Sequence, residues 1–295
     1  MTLPSEAIQW VQRVTGTTVD TVRELDGGSV STVHRLAMSS GSDLAIKRFD
    51  LPDDLDDSPH KAIHEAAVLE MLAGSGVPVP YLVAVDTDGS ATGVAAVLME
   101  YVDGTSTLGG TWLEPMAEAV AAINEVKPDG LAWSYERYTG HDMLGVPAWA
   151  DDPGLWNDAF DLVRSELPQT RCGFIHRDLH PGNMLWGGGR LLAVIDWMGA
   201  CIGPLSIDVA HCRANLAMDH GLEVAASMLS LYLEKVPDGT WHPAWEVVDA
   251  VDFLPYWRGQ ESVDKWQWDS RPASETRGRF EQYLHAAMVA VEKIR

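Results

Sequence analysis

A chain of 295 residues with 46% hydrophobic side chains can bury a substantial core, and its length suits two lobes better than one small module. A formal net charge of −22 argues against nucleic acid as a partner, because binding a polyanion needs a basic face that releases counterions. No apolar run approaches the roughly 18 residues that cross a membrane, and the start Met1-Thr2-Leu3-Pro4-Ser5-Glu6 lacks the basic and apolar regions of a signal peptide, so no membrane contact and a cytoplasmic location are expected.

In chain order, the first signal runs from Leu25 to Val33. Gly27 and Gly28, followed by Ser29, Ser31 and Thr32, predict a hairpin turn whose backbone can approach another group closely; a plain turn explains the glycines equally well. Leu44-Ala45-Ile46-Lys47-Arg48-Phe49 alternates as a strand, with Ala45 and Lys47 on one face. From about His60 to Ala73 the pattern is helical. Ala62, Glu65, Leu69 and Leu72 share one stripe, so Glu65 interrupts an apolar face on which a carboxylate needs a cation. Glu70 lies on another stripe, with Ile63, Ala66 and Ala73, and ranks second. Val97 to Gly104 reads as a strand running into a turn. Thr139 to Asp152, rich in Gly, Pro and Asp, reads as a loop before a helix beginning near Leu155.

The most informative stretch is His176-Arg177-Asp178-Leu179-His180-Pro181-Gly182-Asn183, followed by Ile195-Asp196-Trp197. Pro181 and Gly182 disfavour regular structure and keep Asp178 and Asn183 on one curling loop. Arg190 to Ile195, after Gly187-Gly188-Gly189, is a short apolar run that reads as a buried strand with Asp196 at its carboxyl end. Phosphoryl transfer to an alcohol requires this set of groups. Asp178 would accept or align the hydroxyl proton. The Asn183 amide oxygen and the Asp196 carboxylate would bind magnesium, which prefers oxygen and takes few protein ligands.

That chemistry gives the upstream elements roles. Ala45 leaves room for the adenine of ATP, Lys47 reaches the phosphates with Glu65 holding it in place, and main-chain groups near Glu100 and Val102 meet the adenine edge. Gly28 and Ser29 sit in the turn expected to cover the phosphates. Taken singly, Lys47 is also explained as a snorkelling strand lysine and Glu65 as a helix-rim carboxylate. Their order along the chain before Asp178 favours the functional pair.

The sequence Gly27-Gly28, Lys47, Glu65, Met99-Glu100, His176-Arg177-Asp178…Asn183, Ile195-Asp196-Trp197 and Gly203-Pro204…Asp208 resembles the aminoglycoside phosphotransferase and choline kinase-like family over nearly the whole chain. The resemblance implies an α+β, bilobal protein-kinase-like fold. Residues 1–103 would be a small nucleotide-binding N-lobe with an antiparallel sheet. Residues 104–295 would be a larger, mainly helical C-lobe carrying the catalytic loop, metal site and acceptor pocket. It further implies Asp178 as catalytic base, Asn183 and Asp196 as magnesium ligands, Lys47 and Glu65 as the phosphate lysine and its partner, and Asp208 as a brace beneath the catalytic loop. His180 stands where protein kinases carry a lysine near the transferred phosphate; a structural role is its alternative. Asp196 is followed by Trp197-Met198 rather than Phe-Gly, and no Ala-Pro-Glu follows, so the expected acceptor is a small molecule and not a protein.

The acceptor pocket is expected in the C-terminal third, where acids and aromatics mix in a manner suited to a polyhydroxylated amine; Asp252 and Glu261 are the candidate contacts. An acidic surface concentrates a cationic acceptor, although a general acidic bias explains the charge equally well. The acceptor is thus expected to be an aminoglycoside or amino-sugar-like molecule, with a choline-like metabolic alcohol as the rival. A nucleotide-binding pseudokinase is a rival of another class, against which the joint presence of Lys47, Asp178, Asn183 and Asp196 speaks. The 3 cysteines fit no zinc spacing and are expected as free buried thiols. The protein is expected to be a monomer or a homodimer.

Overall fold

The computed structural model describes residues 2–25, 31–51, 55, 57–257 and 272–294. The chain divides into two units, which it enters more than once: Met1–Thr107 with Met184–Ala200, and Leu108–Asn183 with Cys201–Arg295.

The first unit opens with α1 (Ser5–Thr15), ended by Gly16 at a φ of 70°, a backbone conformation that glycine adopts without strain, so that its N–H donates to the Gln12 carbonyl at 2.9 Å. β1 (Val19–Leu25), β2 (Thr32–Met38), β3 (Leu44–Arg48), α2 (Ser58–Leu72), β4 (Leu82–Asp86) and β5 (Ala96–Glu100) follow. The strands form one antiparallel sheet in the order β1-β2-β3-β5-β4. Against one face, α1 packs Ala7, Trp10 and Val11 onto Leu36, Met38, Ile46, Ala96 and Leu98. The two-residue period of β3 commits Ile46 to that core and turns Ala45 and Lys47 the other way. α2 begins two residues before the expected His60, because Pro59 is tolerated in a first turn whose N–H has no helical partner.

The chain then builds α3 (Leu113–Asn124), α4 (Pro153–Arg164) and β6 (Cys172–Ile175) of the second unit. Asp152 starts α4 by accepting from the Gly154 and Leu155 amides. The chain returns to the first unit as an antiparallel hairpin, β7 (Met184–Gly187) and β8 (Arg190–Val194). Trp186 N donates to Thr105 O and Val194 N to Pro78 O, both at 2.8 Å. These bonds group the hairpin with the sheet unit, although it lies within residues 104–295, the stretch expected to form the second lobe.

β9 (Cys201–Pro204) pairs antiparallel with β6. The rest is helical: α5 (Ser206–His220), α6 (Leu222–Leu233), α7 (Ala244–Asp252), α8 (Leu254–Trp257) and α9 (Ala273–Ile294). α5 packs against α6, α7 and α9, with Trp156, Phe160, Tyr232, Phe280 and Tyr283 buried in this unit. Cys201 and Cys212 are free and buried; Cys172 is free but exposed, a correction that follows from its place at the surface end of β6. Among the described residues no helix is long and apolar enough to cross a membrane.

Candidate active site

In the first unit, a buried cation is held between two carboxylates. Lys47 Nζ lies 2.6 Å from Glu65 Oε2 and 2.7 Å from Asp196 Oδ1. The predicted stripe on α2 is buried as a whole, Ala62, Glu65, Leu69 and Leu72 together, while Glu70 on the second stripe is exposed. Asp196 reaches Lys47 because the turn Trp197–Gly199 packs against α2, anchored by the buried Trp197, whose indole N–H donates to Val194 O at 2.9 Å. Asp196 itself takes a left-handed conformation, φ 69°, which costs a non-glycine residue of order 1–3 kcal/mol and recurs at functional sites. Burial alone would discharge the Lys47 ammonium, but the attraction of Asp196 and Glu65 outweighs it and holds the group above the usual lysine range.

The neighbouring candidates are placed with less drama. Glu100 is exposed, and its amide donates to Tyr81 O at 2.8 Å. Val102 O accepts from Gly104 N at 2.9 Å. Thr32 is buried and bonded through its amide and hydroxyl to Asp50, so it is committed within the sheet. Gly28, Ser29 and Glu261 lie outside the described residues.

In the second unit, the loop after β6 is braced from α5. Asp208 accepts from the His176 and Arg177 amides, each at 2.9 Å, and its burial, partly offset by those bonds, pushes its carboxyl up to about 6. Arg177 also has a positive φ, 76°; it and Asp196 are the two non-glycine residues so strained among the described residues. Its guanidinium lies over the rings of Tyr135 and Tyr138, at 4.4 and 3.9 Å. Gly203 makes room for Tyr135: a Cβ there would meet the tyrosine Cβ at 2.6 Å.

Arg177 also settles the position of Asp252. Its Nη2 donates to Asp252 Oδ2 at 2.8 Å, while Thr139 N donates to Oδ1 at 3.1 Å. Only 3% of the Asp252 side chain is exposed. The expectation that Asp252 contacts an acceptor is therefore corrected: its oxygens are spent on holding the strained loop.

Asp178, by contrast, keeps 39% of its side chain exposed. Asn183 Nδ2 donates to Asp178 O at 2.9 Å and to Oδ2 at 3.2 Å, so the predicted curl of the loop does bring these two residues together. On the other side His211 Nε2 lies 3.1 Å from Asp178 Oδ1. His180 Nε2 is 3.9 Å from the same oxygen, and its Nδ1 accepts from Gly182 N at 3.1 Å. Burial pushes the Asp178 carboxyl up, but the His211 hydrogen bond and the charges of His180, His211 and His176 overcome this and hold it well below the usual carboxylate range.

No motif in the sequence singles out His211 or its partner Asp249. A periodic signal was present: in α7, Glu246, Asp249 and Asp252 recur every three residues along an otherwise apolar helix and are all buried, so each demands a cation. Glu246 pairs with Arg213, Asp249 with His211 and Asp252 with Arg177.

The model of the phosphotransferase enzyme family matches residues 21–250. Homoserine kinase from Rhodopseudomonas palustris is 32% identical over 130 residues, covering 43% of this chain and 34% of that protein. Homoserine kinase from Methylocella silvestris is 25% identical over 198 residues, 58% of this chain and 59% of that one; the chain thus spans only part of these relatives. Among solved structures, a thermostable mutant of an aminoglycoside phosphotransferase in ternary complex with ADP and hygromycin B superposes with a TM-score of 0.65 at 17% identity, covering 96% of this chain and 99% of that one. Macrolide 2'-phosphotransferase from Brachybacterium faecium gives 0.60 at 18%, covering 97% and 98%. These likenesses show the α+β, kinase-like fold, and with the match over residues 21–250 the chain belongs to the phosphotransferase enzyme family.

Proposed function

We propose that the protein is an ATP- and magnesium-dependent O-phosphotransferase that phosphorylates a hydroxyl of a small, amine-bearing molecule. The carrying observation is Asp178, a partly exposed carboxylate held ionised by histidines and oriented by Asn183. A carboxylate with a depressed pKa is a weak proton acceptor but a firm hydrogen-bond acceptor. That suits phosphoryl transfer, in which aligning the incoming hydroxyl matters more than removing its proton early.

The residues fit magnesium by the chemistry of their donors. The Asn183 amide spends its N–H groups on Asp178, which leaves its oxygen to act as ligand, and Asp196 gives one oxygen to Lys47 and keeps the other. Magnesium, when bound, would neutralise charge on the ATP phosphates. Lys47 would add a fixed positive charge there, with Glu65 preventing its long side chain from wandering.

Two acceptor classes draw on separate observations. The −22 charge is compatible with a polycationic aminoglycoside without singling it out, and the similarity to homoserine kinases favours a small amino alcohol. ADP release measured with ATP, Mg2+ and, in turn, L-homoserine, choline and hygromycin B tests the proposal: acceptor-stimulated ADP release that disappears on removing Mg2+ is expected. ATP binding with no turnover on any acceptor would instead favour the pseudokinase.

A further inference from the structure

Deep in the second unit, His211 is gripped by two carboxylates. Its Nδ1 lies 3.1 Å from Asp249 Oδ1 and its Nε2 3.1 Å from Asp178 Oδ1. With both ring nitrogens facing carboxylate oxygens, the ring satisfies both only as the doubly protonated imidazolium. Phe253 stacks on it at 5.0 Å and 16°, which fixes the plane in which the two N–H groups point.

Among the described residues the Asp249 side chain makes no hydrogen bond or ion pair except to His211. Its side chain is 1% exposed, and its second oxygen finds no hydrogen-bond partner among the described residues. A buried carboxylate left half-satisfied costs about 1–3 kcal/mol or more, and that cost is met at a position where the anion touches one functional group, the far side of the ring that touches Asp178. A packing role alone would be served by an apolar pair at lower cost.

We propose that His211, held by Asp249, is a positioning residue that fixes the rotamer of Asp178 for phosphoryl transfer. This rests on the reading of Asp178 as the base. In that step the acceptor oxygen bonds to the terminal phosphorus, the bond from phosphorus to the bridging oxygen of ADP breaks, and the hydroxyl proton passes to the Asp178 carboxylate. A carboxylate free to rotate about its side-chain bonds would meet the hydroxyl in the wrong direction much of the time. His211 on Oδ1 and Asn183 on Oδ2 leave it one orientation.

The test compares three variants by ADP release with ATP, Mg2+ and, in turn, L-homoserine and hygromycin B. His211→Ala is expected to lower kcat by about tenfold or more with the KM values for ATP and acceptor unchanged, and added imidazole is expected to restore part of the loss. Asp249→Asn, which preserves shape and leaves both His211 and Asp178 in place, is expected to lower kcat at constant KM and serves where His211→Ala fails to fold. Wild-type kcat in either folded variant overturns the proposal, as does a loss in folded His211→Ala that imidazole does not reverse. Asp178→Asn separates the two readings. If it is inactive while the other variants turn over normally, the positioning role alone fails; if it turns over normally, the assignment of the base fails as well.

Discussion

The two units use the same electrostatic device, a cation between two carboxylates, to different ends. In the first, a buried cation, Lys47, is flanked by two anions, Glu65 and Asp196. In the second, an anion, Asp178, faces a histidine that is itself flanked by a second carboxylate, Asp249. Among the described residues each unit also carries one non-glycine residue at positive φ, Asp196 itself and Arg177 beside Asp178. The contrast lies in exposure: Lys47 shows 6% of its side chain and Asp178 39%. A group that only has to present charge can be sealed on its flanks, whereas a group that must meet an incoming hydroxyl has to stay open.

Breaking the first triad should have the largest effect. Lys47→Met strands Glu65 and Asp196 as like charges, and removing one partner of a buried pair costs roughly 3–5 kcal/mol; thermal denaturation should show a large fall in midpoint. Losing Asp178, the exposed member of the second, should act mainly on turnover. Asp178→Ala is expected to leave ATP binding largely intact and to reduce turnover by roughly a hundredfold or more, and unchanged turnover would refute its role.

Asp196→Ala sharpens the comparison, because this residue serves both the triad and the proposed metal. Calorimetry should show that magnesium strengthens nucleotide binding in the wild type but not in the variant; the same metal dependence in both would dismiss Asp196 as a ligand.

A milder probe is pH. Burial lowers the His211 pKa, but Asp249 and Asp178 raise it further, to about 10. Because the folded value exceeds the unfolded one, its stabilisation is complete below roughly pH 6.5 and is lost as pH rises through about 10. The groups that set this are Asp249 from α7 and Asp178 from the loop after β6, with Asp208 from α5 also sensing the charge. The melting midpoint should fall over that interval, and His211→Gln should flatten the curve. The smallest effect is local: Asp152→Ala removes the cap on α4 and should cost about 1 kcal/mol in urea denaturation, with turnover unaltered.

Legibility in sequence followed the range of the interactions. Lys47 and Glu65 were readable because a strand period and a helix stripe each expose a charge in the wrong place, and two wrong charges of opposite sign suggest each other. The pairing of Asp178 with Asn183 was readable because Pro181 and Gly182 constrain the four residues that join them. His211 and Asp249 were not, since they meet across 38 residues and each alone fits a helix interior. Asp252 misled for the same reason: beside aromatics it resembles a ligand contact, and only its distant partner Arg177 reveals a brace.

The return of Met184–Ala200 to the sheet unit limits how this protein can be dissected. A fragment ending at Thr107 would carry Lys47 and Glu65 but neither Asp196 nor the hairpin that bonds Thr105 and Pro78. Such a piece would hold a buried ammonium with one counter-ion instead of two.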